Sequence, residues 1–188
     1  MCCNIASYAA LRFPAMKGDR RAFKQVVLKY SGKRAFYEKI DLLFLYQWHR
    51  SHFRTEGAYK KFKNYTTVKE LLVSQFGDEN AIQDKRYVAK SAILRSVLAN
   101  PFPGLDKENI KRSLPLFSVG EHLYRYLRSY AVHNFRFPFL SRQGGKYVPN
   151  HIITPDVLFQ TAKNVLSNLE RECLRKARFP WQLRRIRK

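Results

Sequence analysis

The sequence has few acidic residues, and it has no long hydrophobic run. Its 188 residues include 14 Asp and Glu against 36 Lys and Arg, which gives a formal net charge of +22. A charge of that size repels itself unless a polyanion neutralises it, so we expect nucleic acid, and RNA first, as the partner. The longest apolar run, Ile40 to Tyr46, contains Asp41 and is far shorter than the roughly 20 residues of a spanning helix. We therefore expect no membrane span and no membrane partner.

Cysteine is scarce as well. Cys2 and Cys3 are adjacent and Cys173 lies far along the chain, which gives neither an even set for disulfides nor metal-ligand spacing. This usage is typical of a reducing compartment, so we expect a cytoplasmic protein with no metal and no cofactor. The N-terminus lacks a basic region followed by an apolar core and is not expected to be a secretory signal. The absence of acids before Asp19 leaves an organellar targeting segment open.

Glycine and proline number only eight each, and 45% of the residues are hydrophobic, which excludes a disordered chain. The length suits one ordinary domain with a single core. After Glu172 the chain has seven basic residues and no acid. We therefore predict one helical domain over residues 1–188, with a short N-terminal extension (about 1–17) and a basic C-terminal arm (about 176–188).

Apolar residues recur at helical spacing along most of the chain. The predicted helices cover 19–30, 35–48, 55–76, 89–99, part of 105–113, 118–134 and 154–175. The segments 77–86 and 135–153 are polar or rich in Pro, Gly and Asn and are predicted to be loops. Because no convincing alternating strand is present, the predicted fold class is all-α, as an up-and-down bundle of five to six helices.

Two of these helices have strong start signals. Ser118 and Glu121 have the spacing of a capping box, in which the serine side chain accepts the Glu121 amide hydrogen. Thr154, Pro155 and Asp156 place a cap residue, a proline and an acid where a first helical turn favours them.

The helix predicted over 118–134 carries Arg128 and His133, five positions apart. A metal-free ribonuclease needs these residue types. Imidazole relays the proton of a ribose hydroxyl near neutral pH, and a guanidinium group steadies the charge that develops on the phosphate. The two residues lie beside a predicted core stripe that includes Leu123 and Leu127. They would converge best across a two-fold axis, so we predict a homodimer.

The run from Arg128 to Asn134, Arg-Ser-Tyr-Ala-Val-His-Asn, resembles the Arg-x(4 to 6)-His signature of the HEPN superfamily. The resemblance rests on this motif and on the predicted bundle, and it covers about residues 19–178 in outline. It implies a metal-independent endoribonuclease in a toxin–antitoxin or defence setting, with Arg128 and His133 as the catalytic pair at a dimer interface and an antitoxin as a further partner. Ser129 stands where many active members carry Asn, Asp or His.

Further residues are assigned roles around this pair. Glu121 is predicted to orient Arg128, and Ser129 and Asn134 are predicted to support the site. The predicted RNA contacts lie on the same helix, in the loop after it and in the C-terminal arm, and they are Arg125, Arg136, Arg142, Arg184, Arg185, Arg187 and Lys188.

Other interpretations stay open. Arg128 can be a solvated residue paired with Glu121, and His133 a histidine that the helix dipole favours. The protein can then be a non-catalytic basic RNA-binding component of a ribonucleoprotein, of the ribosomal type, which the arm and the net charge favour. A DNA-binding module is a weaker hypothesis, because no short helix-turn-helix is evident.

Overall fold

A computed structural model of the chain describes residues 2–16, 19–48, 60–99, 104–124, 140–143, 146–149 and 155–183. In these residues the helices are α1 (Cys2–Arg12), α2 (Asp19–Tyr30), α3 (Arg34–Tyr37), α4 (Leu42–Tyr46), α5 (Tyr65–Phe76), α6 (Glu79–Asp84), α7 (Lys90–Ala99), α8 (Lys107–Ser113), α9 (Val119–His122) and α10 (Pro155–Lys176). The strands are β1 (Ile40–Asp41), β2 (Tyr87–Val88), β3 (Leu140–Gln143) and β4 (Lys146–Pro149). The all-α class is confirmed. The prediction of five to six helices was too low, since ten are described, and the up-and-down arrangement stays a prediction.

The chain divides into two compact units. Unit 1 comprises Met1–Tyr37 and His122–Lys188, and unit 2 comprises Glu38–Glu121. Unit 2 is therefore continuous in sequence, whereas unit 1 is assembled from two distant segments. That the whole chain acts as one domain stays a prediction.

Unit 1 is built on α1, α2 and α10, which pack against one another. Helix α2 has the predicted bounds, and its buried residues are Ala22, Phe23, Val26, Val27 and Tyr30. The segment 1–17 was predicted only as an extension, yet α1 lies within it and buries Ile5 and Ala9 completely. Each large apolar side chain buried in this way contributes about 1.5–3 kcal/mol of transfer free energy.

Helix α10 confirms the predicted start near Pro155 and the predicted end near residue 175. Its buried residues recur at helical spacing and are Leu158, Thr161, Val165, Leu169 and Glu172. Four of these suit a helical core, but the fifth is a carboxylate. A buried carboxylate is tolerated only where partners satisfy it.

The loop predicted over 135–153 contains an antiparallel hairpin, so that prediction was wrong for β3 and β4. The register pairs Leu140 with Pro149 and Gln143 with Lys146. The sequence places two glycines between these strands, and a Gly-Gly pair is a signal for a tight hairpin.

The prediction of a single helix over 35–48 was wrong. Helix α3 ends at Tyr37, and Ile40 and Asp41 form β1, which pairs antiparallel with β2. The Asp41 side chain accepts the Phe44 amide hydrogen at 3.0 Å and thereby starts α4. An aspartate inside an apolar run competes for backbone amides, and here it acts as a cap instead of lying inside a helix.

The same Asp41 forms the buried ion pair of unit 2. Its side chain is fully buried, and the Arg86 guanidinium donates to both carboxylate oxygens over 2.9–3.1 Å. The Arg86 backbone carbonyl also accepts the Leu42 amide hydrogen at 2.8 Å. The pair therefore fixes β2 against the start of α4.

Residues 55–59 of the helix predicted over 55–76 lie outside the described residues, and within 60–76 the helix begins later than expected. Helix α5 begins at Tyr65, because Asn64 adopts a left-handed backbone conformation with φ of 58°. The residue before it is held by α8, where the Asn109 side chain accepts the Lys63 amide hydrogen at 2.9 Å. A long-range hydrogen bond thus replaces the helical one.

The loop predicted over 77–86 was wrong, because α6 lies there. Gly77, with φ of 95°, ends α5 as predicted. The next residue, Asp78, accepts the Ala81 amide hydrogen at 2.9 Å and begins α6. One dipeptide therefore ends one helix and starts another.

Candidate functional site

The predicted catalytic pair lies outside the residues that the structure describes. Arg128, Ser129, His133 and Asn134 all follow Tyr124, the last described residue before them. Their catalytic and supporting roles stay predictions.

The start of the helix predicted over 118–134 is described and confirms the predicted cap. The Ser118 side chain accepts the Glu121 amide hydrogen at 3.3 Å, and α9 begins at Val119. Leu123 is fully buried, as the predicted core stripe requires. Glu121 is fully buried too, and its contact with Arg128 stays a prediction.

Among the predicted RNA contacts, Arg142 is described at the level of its backbone, which pairs with Tyr147 in the hairpin. The remaining six lie outside the described residues, and they are Arg125, Arg136, Arg184, Arg185, Arg187 and Lys188.

A cleft of about 490 Å³ lies in unit 1, where the end of α2 meets the C-terminal half of α10. Its charged lining residues are Lys29, Arg171, Glu172, Arg175 and Lys176. Four cations against one anion give this lining a formal charge of +3. Small-molecule sites have volumes of about 300–1,000 Å³, so this cationic cleft has room for a nucleotide.

Glu172 organises the cationic cleft. Its carboxylate accepts hydrogen bonds from Lys29 Nζ at 2.8 and 3.1 Å and from Lys176 Nζ at 2.8 Å. The Tyr30 hydroxyl donates to the same carboxylate at 2.5 Å, and the buried Arg12 Nε donates to the tyrosine oxygen at 2.7 Å. The network therefore joins α1, α2 and α10 through one carboxylate.

These contacts fix the protonation states. Burial raises the pKa of Glu172, but the hydrogen bonds donated by the two lysines and the tyrosine lower it by more, to about 2. Burial raises the pKa of Tyr30, and its hydrogen bond to Glu172 raises it further. Near neutral pH the carboxylate is therefore ionised and the tyrosine is neutral, so the tyrosine donates the proton of their hydrogen bond.

The two arginines of the cleft are arranged differently from the two lysines. Arg171 and Arg175 are exposed and lie one helical turn apart on α10. Arg171 Nη1 donates to the Asn168 amide oxygen at 3.3 Å, and neither arginine forms an ion pair within the described ranges. Their planar groups suit two-pronged contacts to phosphate oxygens.

The chain turns back immediately after α10. Ala177 has φ of 47°, in the left-handed region, and the Arg178 amide donates to the Cys173 carbonyl at 3.0 Å, which closes the helix end. A short 3-10 turn, Pro180–Gln182, follows. Leu183 is then buried, and its carbonyl accepts a hydrogen bond from Arg12 Nη1 at 2.7 Å. The first half of the C-terminal arm is therefore part of unit 1.

Sequence reasoning missed the cationic cleft entirely. Its members come from segments more than 130 residues apart, as the separation of 143 between Lys29 and Glu172 shows. The first local signal was the basic run on α10, where Arg171, Arg175 and Lys176 recur within two turns. A carboxylate at a core position of that helix, Glu172, was the second signal.

Neither a membrane span nor a metal cluster is found in the described part of the chain. No described helix combines the length and the apolarity needed to cross a bilayer. Within the same residues no group of three or more His, Cys, Asp and Glu side chains is placed to hold a metal ion.

Comparisons with known proteins give no relative. No protein-family model matches the sequence, and neither a curated protein nor a solved structure matches it.

Proposed function

We propose that this protein binds RNA through phosphate contacts centred on the cationic cleft. The observation that carries the proposal is the lining of that cleft, in which four cations surround one carboxylate on a chain of net charge +22. Phosphate contacts of this kind position a nucleic acid without reading its sequence. The affinity should therefore depend on salt more than on sequence.

The arginines are the residues best prepared for this role. Lys29 and Lys176 already hold Glu172, so a phosphate would have to compete with that carboxylate for them. Arg171 and Arg175 are exposed beside them and present a fixed fork of donors. Because α10 is anchored by its buried stripe, the two guanidinium groups are held on a rigid element.

The test compares two double variants with the same loss of charge. Arg171→Gln/Arg175→Gln removes two cleft cations, whereas Lys85→Gln/Arg95→Gln removes two exposed cations of unit 2. Binding of a labelled single-stranded RNA is measured from about 50 to 300 mM salt, a range over which phosphate contacts lose much of their affinity. Each lost phosphate contact should reduce the slope of log affinity against log salt by about 0.7, so the cleft variant should lose about 1.4.

The control variant should keep the wild-type slope. An equal loss in both variants would show that net charge, and not the cleft, carries the binding. A flat salt response of the wild type would refute the electrostatic mode altogether.

Within this RNA-binding role we propose cleavage by Arg128 and His133, the pair that resembles the HEPN signature. Support comes from the sequence motif and from the Ser118 cap at the start of the helix predicted over 118–134. His133 would take the ribose 2′-hydroxyl proton, and Arg128 would stabilise the charge on the phosphorane. The P–O5′ bond would then break, which leaves a 2′,3′-cyclic phosphate and a 5′-hydroxyl that receives the proton back from His133. The alternative is a non-catalytic RNA-binding component of a ribonucleoprotein, which requires no RNA cleavage.

The assay uses a labelled RNA in excess EDTA, with wild type against His133→Ala and Arg128→Ala. Both variants should lose cleavage and keep most of the RNA affinity, because 36 basic side chains set the field of the chain. DNA, which lacks the 2′-hydroxyl, should resist. Equal cleavage by wild type and His133→Ala, or none by either while RNA is bound, would favour the ribonucleoprotein role.

A further inference from the structure

Two exposed aromatic rings are stacked on each other directly after α10. The ring centroids of Phe179 and Trp181 lie 4.8 Å apart, and the ring planes differ by 4°. Phe179 is 60% exposed and Trp181 is 53% exposed. We propose that this aromatic pair is a stacking platform for an unpaired base of single-stranded RNA. The inference rests on the proposed RNA-binding role and names the substrate class.

The aromatic pair is held in place by the backbone around it. The Phe179 amide donates to the Gln182 side-chain oxygen at 3.0 Å, and the Gln182 amide donates to the Phe179 carbonyl at 2.9 Å. Pro180, which separates the two residues in the sequence, has a fixed φ. The turn is then anchored by the buried Leu183 and its bond to Arg12. A base would therefore meet rings that are already ordered, and binding would cost little conformational entropy.

The exposure of these rings is not explained by packing within unit 1. The core of that unit is filled by the buried stripes of α1, α2 and α10, and the aromatic pair lies outside it. Two large exposed aromatics in one turn leave apolar surface in water, which usually marks a binding surface. A third aromatic ring can stack in parallel on such a pair, because offset stacking is a preferred arrangement of aromatic groups.

The charge around the aromatic pair favours a nucleic acid over an apolar protein surface. Arg175, Lys176 and Arg178 are exposed immediately before it, and no acidic residue follows Glu172 in the sequence. Aromatic groups interleaved with cations are the composition of single-strand binding surfaces, in which bases stack and phosphates are neutralised. A duplex keeps its bases stacked internally, so it should not use this platform.

The experiment measures binding of full-length protein to three probes, a single-stranded oligoadenylate, a blunt RNA duplex and inorganic polyphosphate. Trp181→Leu should weaken binding of the oligoadenylate by about tenfold, the scale of one base–aromatic stack, and should leave the other two affinities unchanged. Trp181→Phe restores a ring and should recover most of the loss. Phe179→Leu is matched with Phe159→Leu, which removes an equally exposed ring on α10, away from the aromatic pair, and should have no effect.

Tryptophan fluorescence gives a second readout. The chain has two tryptophans, so the signal of Trp181 is the difference between wild type and Trp181→Phe. Oligoadenylate should quench that signal, and polyphosphate should not. Circular dichroism confirms that the variants are folded.

Failure of this inference is distinguishable from failure of the proposed function. Retained salt-dependent binding of all three probes, without quenching and without an effect of Trp181→Leu, would overturn the platform alone. An equal loss of affinity for all three probes in Trp181→Leu would also overturn it. The ring would then support the fold or contact a protein, and it would not stack on a base. If none of the three probes binds at low salt, both proposals are overturned.

Discussion

Replacement of Glu172 by glutamine tests the network that builds the cationic cleft. The buried Tyr30 hydrogen bond to this charged group should contribute about 1.5–3 kcal/mol. The two lysine pairs, with ammonium side chains 32% and 41% exposed, should contribute about 0.2–1 kcal/mol each. The same contacts lower the pKa of Glu172 from 4.5 to about 2, which corresponds to about 3 kcal/mol.

Because glutamine keeps one acceptor oxygen, we expect Glu172→Gln to lower the free energy of unfolding by about 2–3 kcal/mol at pH 7. For a chain of this length that loss lowers the melting temperature by about 5–10 °C. Urea denaturation of wild type and variant measures the difference. Glu170→Gln, an exposed charge change on the same helix, is the control and should change stability by less than about 0.5 kcal/mol.

The pH dependence sharpens this test. The folded-state pKa of Glu172 lies below its unfolded value of 4.5, so its contribution is fully present above about pH 4.5 and is lost as the pH falls towards 2. The stability difference between wild type and Glu172→Gln should therefore be constant from pH 7 to 5 and should shrink towards zero near pH 2. A difference below about 1 kcal/mol at pH 7, or one that persists unchanged at low pH, would refute the reasoning.

Three further predictions concern other parts of the chain. Asp41→Asn should lower the free energy of unfolding by about 3–5 kcal/mol, because Arg86 would keep a buried charge without its partner; urea denaturation would contradict this if the loss were under about 1 kcal/mol. Gly77→Ala should destabilise by about 1 kcal/mol or more, since φ is 95° and a Cβ would lie 2.8 Å from that of Ala81. Gly104→Ala is the control, because Gly104 has a similar φ of 90° but open space around it, so this variant measures the cost of the backbone conformation alone. Equal losses in the two variants would show that the contact with Ala81 does not contribute. Deletion of residues 184–188 should weaken RNA binding and keep cooperative unfolding, and loss of cooperativity would show that this end is structural.

Local signals predicted the elements whose boundaries are local. Helix α2 has a regular apolar spacing and α10 has a proline at its first position, and both were predicted within a residue or two. The Ser118 cap was predicted for the same reason. In each case the determining atoms lie within four positions of one another, which is the range that periodicity and capping rules cover.

The misplaced elements depend on partners that are distant in sequence. The predicted helix over 35–48 failed because Asp41 pairs with Arg86, 45 positions away, and the start of α5 was misplaced because Asn109 holds Lys63, 46 positions away. Tertiary context overrides helix propensity at such positions. The cationic cleft could not be predicted for the same reason, since Glu172 and Lys29 lie 143 positions apart in the sequence.

The hydrogen bond between Arg12 and the Leu183 carbonyl spans 171 positions of the chain. At a synthesis rate of about 5–20 residues per second, Leu183 is added to the chain about 10–30 s after α1. Through that interval the apolar faces of α1 and α2 lack α10, whereas unit 2, continuous from Glu38 to Glu121, can already fold. We therefore expect chaperones to bind the nascent segment of unit 1, and we expect unit 2 to become resistant to protease first.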